Sequence, residues 1–183
     1  ETEKHSHKLL VKHPILTNEE LSKIRFLKYH GFKTKTISLV FPVAAGKGKG
    51  LITSPEKEFK NRLRKICAEA SSAIKSGYTF IILSDRKVSK DYAALPSLLA
   101  VAAVHQHLVR ACQRSQIGII LESAEPREVH HFALLFGYGA DSINPYLAYA
   151  ALKYMIAEGQ LQMAYKPALK NYQKAAEKGL LKI

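Results

Sequence analysis

Tyr78-Thr79-Phe80-Ile81-Ile82-Leu83 is apolar with hardly a break. A strand with one wet face alternates apolar and polar residues, whereas a strand covered on both faces, as in a parallel sheet, does not. Ile117-Gly118-Ile119-Ile120-Leu121 downstream has the same character, and Ala140-Asp141-Ser142-Ile143-Asn144 reads as a shorter strand. Upstream, Thr36-Ile37-Ser38-Leu39-Val40-Phe41 is β-branched and aromatic and reads as the first strand.

Between these runs the apolar period changes from two to 3.6. Ser54-Pro55 sets an N-cap and an N1 proline before a helix whose Phe59, Leu63, Ile66, Cys67, Ala70 and Ile74 share one side, ending at Gly77. A helix rich in Leu, Ala and Val spans about Ser97 to Gln113. Pro126 opens another, with Val129, Phe132, Ala133 and Phe136 on one face, closing at Gly137 or Gly139. Asn144-Pro145 caps the helix that runs to Gly159. Strand then helix, four times over, predicts an α/β fold with a parallel sheet and right-handed crossovers. Four such units make half of an eight-fold TIM-like barrel or a small open sheet, and the pattern suits both.

The flanks are simpler. Residues 1–14 carry Lys4, Lys8 and Lys12 with His5, His7 and His13, and read as a linker or docked arm. Thr17-Asn18-Glu19-Glu20 is a capping box for a short helix with Leu21, Ile24 and Leu27, stopping near Gly31. Ala164 to Ile183 reads as a last helix, on which Lys166, Lys170, Lys174, Lys178 and Lys182 form a basic ridge. Such a ridge is either a solvated face or a contact for an acidic surface. The expected organisation is an arm at 1–14, an α/β domain at 15–160 and a connection at 161–183.

With 183 residues, 47% of them apolar, the chain builds a core without staples. Its two cysteines, Cys67 and Cys112, fall in apolar helical patterns where a thiol acts as a small hydrophobe. They make no disulfide framework, which suggests a reducing, cytosolic or plastid-like compartment. No apolar run approaches the roughly 20 residues a bilayer crossing needs, and the first residues lack signal-peptide character, so no membrane partner is expected. The net charge of +13 suits either a polyanion partner or a piece parted from acidic neighbours. The lysines are dispersed and not interleaved with aromatics, which argues against a nucleic-acid-binding module.

In parallel α/β folds ligands gather at the carboxyl ends of the strands. Here those ends carry Ser84-Asp85-Arg86, Glu122-Ser123 and Asn144. Structural roles account for them: Asn144 capping a helix, Asp85 pairing with Arg86, and Glu122 and Ser123 satisfying amides before Pro126. The alternative is a half-barrel enzyme with its site at this rim. Gly46-Lys47-Gly48-Lys49-Gly50-Leu51 lacks the G-K-[ST] ending of a phosphate loop and reads as a plain loop. His105 and His107 point to nearly opposite sides of a helix, and adjacent His130 and His131 also diverge. Glu128 with His131 has chelating spacing but supplies two ligands only. No G-x-S-x-G elbow occurs, and neither cysteine has the helix N-terminus or cationic partner that activates a thiol. No catalytic, cofactor-binding or metal-ligating residue is expected.

Longer stretches carry a family resemblance. They are residues 78–86, 96–108, 122–132, 137–141 and 143–148, with His13-Pro14-Ile15-Leu16-Thr17-Asn18-Glu19-Glu20 upstream. Together they resemble the central domain of glutamate synthases, over nearly the whole chain from about residue 10. Such enzymes convert glutamine and 2-oxoglutarate to two glutamates, with electrons from a nicotinamide cofactor or ferredoxin. The resemblance implies a degenerate barrel relative without flavin, a non-catalytic scaffold that borders an ammonia path. Its implied partners are an amidotransferase domain with a cysteine nucleophile and a synthase domain holding FMN and an iron–sulfur cluster, with no cofactor in this fragment. Residue 1 is a glutamate rather than that cysteine, and Asn171 to Ile183 resembles the start of the synthase domain. Glu122 through Arg127 looks more like the nicotinamide-dependent branch.

Overall fold

The structure is a computed structural model that describes residues 9–27, 29, 31–43 and 54–183. Of the arm expected at 1–14, residues 1–8 with Lys4, His5, His7 and Lys8 lie outside the described residues, as does the glycine stretch at 46–51. In chain order the elements are α1 (Asn18–Arg25), β1 (Thr34–Ser38), β2 (Val40–Pro42), α2 (Pro55–Lys75), β3 (Phe80–Ser84), β4 (Tyr92–Ala94), α3 (Ser97–Arg110), β5 (Gly118–Glu122), α4 (Val129–Gly137), β6 (Ser142–Asn144), α5 (Tyr146–Ala157) and α6 (Tyr165–Leu180).

Four parallel strands stand in the order β1-β3-β5-β6, each beside the next one along the chain. Among the described residues they form an open sheet. The crossover helices α2, α3 and α4 pack on one face, where Ile81, Leu83, Ile119 and Leu121 meet Ile66, Val101, Val104 and Phe132. The opposite face presents Ile82 and Ile120 to Leu16, Leu21 and Ile24, the apolar side of α1 and its approach. Both faces are therefore dry, which is why the β3 and β5 runs are unbroken in sequence.

The expected first strand is two strands. The chain leaves the parallel sheet at Leu39, whose amide donates to Ser84 O (2.8 Å) and whose carbonyl accepts from Leu95 N (2.9 Å). Val40–Pro42 then pairs antiparallel with β4, Val40 opposite Ala94 and Pro42 opposite Tyr92. Three-residue β4 has no periodicity to read, and it exists because this turning chain offers it an edge. Pro42 has no amide to donate, and the last bond of this pairing is made by Val43 N, which donates to Asp91 O at 3.0 Å.

Five helix boundaries also move. α6 ends at Leu180, which leaves Lys182 beyond the helix and off the expected ridge. α1 stops at Arg25, and Gly31, with φ +81°, belongs to the turn beyond rather than to a helix end. α3 ends at Arg110, so Cys112 is not on a helix: it sits exposed in a left-handed turn, with φ +54°. α4 begins at Val129, because Glu128 is extended (φ −135°, ψ 171°) and Pro126 is buried in the preceding loop. α5 has Pro145 at its N-cap and no side-chain cap, so Asn144 does not cap it.

Residues 14–16 run along the free edge of β6, with Leu16 N donating to Ile143 O and Ile143 N to Pro14 O, both at 2.8 Å. α6 closes the same end. Its Tyr172 ring stands edge-on to Phe132 (6.5 Å) and Tyr149 (5.9 Å), and Gln173 Nε2 donates to Ile15 O at 2.9 Å.

Candidate functional site: the polar rim at the strand ends

Ser84, Glu122 and Asn144 are register partners across three strands, one row at the carboxyl edge of the sheet. Side chains alternate along a strand, so Ser84 and Glu122 share the face of Ile82 and Ile120, beneath α1. Asp85 and Ser123, one residue on, belong to the other face, beneath α3 and α4. The rim predicted from sequence is thus brought together in position but divided between two clusters, which Tyr146 joins by lying against both Arg86 and Asp85.

Glu122 is the centre of the first. Its side chain is 4% exposed and sits between two arginines: Arg25 Nη2 donates to Oε2 at 2.7 Å and Arg86 Nε to Oε1 at 2.9 Å. Ser84 Oγ adds a 2.6 Å bond to Oε2. Burial pushes the Glu122 carboxyl up, but the bonds from Ser84 and Arg25, the Arg25 charge and the Arg86 bond outweigh it and hold the group below its ordinary value. Arg86 also stacks on the Tyr146 ring, 4.0 Å from its centroid. The Tyr146 hydroxyl is held protonated well above its usual range, by burial first and then by the adjacent Asp85 carboxylate.

The second cluster is built on Asp85, 3% exposed, whose Oδ2 accepts from Ser123 Oγ (2.7 Å) and Ala124 N (2.9 Å). Ser123 Oγ lies 2.6 Å from Ser97 Oγ, at the first turn of α3. Glu125 Oε2 accepts from Ser97 N at 2.9 Å, capping a helix whose own N-cap position is a proline. The expected Asp85–Arg86 pair does not form, because alternation turns the two side chains to opposite faces. Ser123 does serve an amide before Pro126, accepting from Glu125 N at 3.2 Å; Glu122 does not.

Asn144 is fully buried and ties down the entry to α1: its Nδ2 donates to Leu16 O (2.9 Å) and to Asn18 Oδ1 (3.0 Å). Tyr149 Oη donates to the same Leu16 carbonyl at 3.0 Å. A cavity of about 400 Å³ opens between α1 and the rim, walled by Asn18, Leu21, Arg25, Phe26, Arg86 and Glu122. Sequence reading missed Arg25, Ser97, Glu125 and Tyr146. The spacing of Ser84 and Glu122, two residues past Ile82 and Ile120, was the available sign that a partner would come from the α1 side.

The other candidates are occupied singly. Arg114 Nε donates to His105 Nδ1 (3.0 Å) while the same arginine pairs with Asp141 (2.9 Å). His107 Nε2 lies 2.9 Å from Ser71 Oγ, on another side of α3. His131 Nδ1 accepts from Arg127 N (3.1 Å), with Nε2 3.5 Å from Glu128. Among the described residues no three His, Cys, Asp or Glu side chains gather as metal ligands. Cys67 does have a cationic neighbour, Arg110, but burial dominates and raises its thiol above the ordinary value. A thiol kept protonated is a poor nucleophile.

The family model described as glutamate synthase central domain matches residues 1–183. The large chain of the NADPH glutamate synthase of Bacillus subtilis (strain 168) is 39% identical over 170 residues, 93% of this chain and 10% of that one. The NADH glutamate synthase of Saccharomyces cerevisiae is 35% identical over 186 residues, 96% of this chain and 8% of that one. The ferredoxin-dependent glutamate synthase 1 of Arabidopsis thaliana is 32% identical over 190 residues, covering 96% of this chain and 11% of its own length. The chain thus spans about a tenth of the length of the curated relatives it matches.

Proposed function

Because the chain belongs to the glutamate synthase central-domain family, we propose that it is the scaffold of such an enzyme, a spacer between an amidotransferase and an FMN synthase domain that also borders the path of ammonia. The observation that carries this reading is Glu122. A general acid or base needs a carboxyl free to exchange a proton near neutral pH; this one is held ionised by two arginines and a serine. Asp85, its neighbour on the rim, spends one oxygen on a serine hydroxyl and an amide of the β5–α4 loop.

FMN and an iron–sulfur cluster belong, in this proposal, to the rest of the enzyme. Cysteine-ligated clusters draw on four thiolates, and the chain has two cysteines, on α2 and after α3. A flavin phosphate calls for amides at a helix N-terminus; at this rim α1 overlies the sheet and buried carboxylates line the edge. The residues present do not fit either group. Residues 15–160 are then the domain body, 1–14 the entering arm and 161–183 the connection to the synthase domain. Among the described residues no helix is long and apolar enough to cross a membrane, and the two free thiols suit a reducing cytoplasm or plastid.

The test is direct. The purified chain is assayed for glutaminase and glutamate synthase turnover and for bound yellow chromophore. No turnover and no flavin are expected; measurable activity, or flavin at one per chain, overturns the scaffold reading.

A further inference from the structure

α5 is an anomaly of burial. Its sequence, Tyr146 to Ala157, holds one charged residue, Lys153, yet Tyr149 is its single buried side chain. A helix apolar on nearly all sides is one that is covered on nearly all sides. Here Leu147 (43% exposed), Ala151 and Tyr154 (63%) recur four and three residues apart, forming one stripe opposite the packed face, with Met155 (38%) beside it. Two large side chains flanking a small one leave a notch that admits another element closely. A contiguous apolar stripe of this kind marks an interaction surface.

Charge adjoins it. Lys153 Nζ lies 4.8 Å from the Tyr165 ring, where α5 meets the start of α6. The next residue is Lys166, and Lys170 and Lys174 follow on the exposed side of α6. A step of four residues advances about 40° on a helix, so these lysines wind across the solvent face instead of stacking in a line. Among the described residues none of them takes part in an ion pair. An apolar centre with a charged border is the layout of a protein–protein interface.

We propose that the α5 stripe and the α6 lysines form one docking surface, and that its occupant is an apolar, acid-bordered surface on another domain of the same longer polypeptide. This rests on the reading of the chain as one domain of a glutamate synthase. Two observations choose the occupant. About nine-tenths of the relatives' length lies outside the matched segment. A second copy of this chain is disfavoured, since a self-complementary contact sets one lysine face near another and brings together two bodies of net charge +13.

The experiment uses the intact enzyme carrying this sequence. Hydroxyl-radical footprinting compares Tyr154 with Tyr149, which is 1% exposed. Tyr154 is expected to react as slowly as Tyr149, within about twofold; a rate several-fold faster overturns the docking. Zero-length carbodiimide cross-linking of mixed light and heavy isotope-labelled enzyme then reads the partner. Links from Lys166, Lys170 or Lys174 to carboxylates outside residues 1–183, within one isotopic chain, are expected. An absence of such links, or links only between differently labelled chains, overturns the proposed occupant. Activity or flavin in the isolated chain would refute the scaffold reading and leave the footprint untouched, so the two failures are distinguishable.

Discussion

Glu122 is a charge kept out of water by design of its surroundings. Desolvating a carboxylate costs several kcal/mol, and the cost is recovered only where opposite charges and hydrogen bonds replace the lost water. Arg25, Arg86 and Ser84 supply both. Glu122→Gln leaves two guanidiniums facing a neutral amide. It should cost about 3 kcal/mol, the low end for breaking a buried pair, because Arg25 and Arg86 remain 27% and 46% exposed and water screens them. The pH dependence has a definite sign. The folded carboxyl is held below the reference value of 4.5, so its contribution is complete above the unfolded value and vanishes as pH falls through the lower, folded one. Urea midpoints of the two proteins should therefore converge as pH is lowered from about 6 towards 3. A gap that does not change with pH would show that the ion pairs add nothing. That these residues share a rim was legible, because strand ends are marked in sequence. Their pairing was not, since Arg25 reaches Glu122 across 97 positions.

α1 is eight residues long, shorter than an isolated helix that persists in water. Two devices hold it. Thr17 Oγ1 accepts from Glu20 N (3.1 Å) and Glu20 Oε2 accepts from Thr17 N (2.8 Å), a reciprocal cap that was readable from four consecutive residues. Leu21 and Ile24 supply the other, buried on the sheet. Thr17→Ala should lower stability by about 1 kcal/mol, and Thr17→Ala with Glu20→Ala should cost less than the two singles added, since both break one device. Thermal unfolding of the three variants measures this; strict additivity would deny the coupling. Caps are local chemistry and survive translation from sequence. Strand ends set by a distant edge do not, and β1, β2 and β4 are the example: Leu39 breaks the run only because Ser84 and Leu95 are there to bond it.

For the whole molecule the asymmetry of cover matters most. Among the described residues one face of the sheet carries α2, α3 and α4, the other only α1 and its approach. α6 then seals the β6 end, covering Phe132 and Tyr149 with Tyr172. Burial pushes the Tyr172 hydroxyl up to about 12. Deleting residues 161–183 should lower unfolding free energy by at least about 3 kcal/mol, the scale of losing one large buried side chain's contacts. Far-UV circular dichroism in urea reads this in a chain that has no tryptophan. An unchanged midpoint would make α6 a tether instead of a wall.

The residues taken alone determined the class of fold, the parallel strands, the caps and the place of the polar rim, because apolar period and cap chemistry act over a few neighbouring positions. Tertiary structure alone decided which partner each rim residue took, where the first strand broke, and that α5 kept its apolar stripe towards solvent. Those outcomes depend on contacts between segments tens of residues apart, and no local pattern encodes which distant side chain arrives.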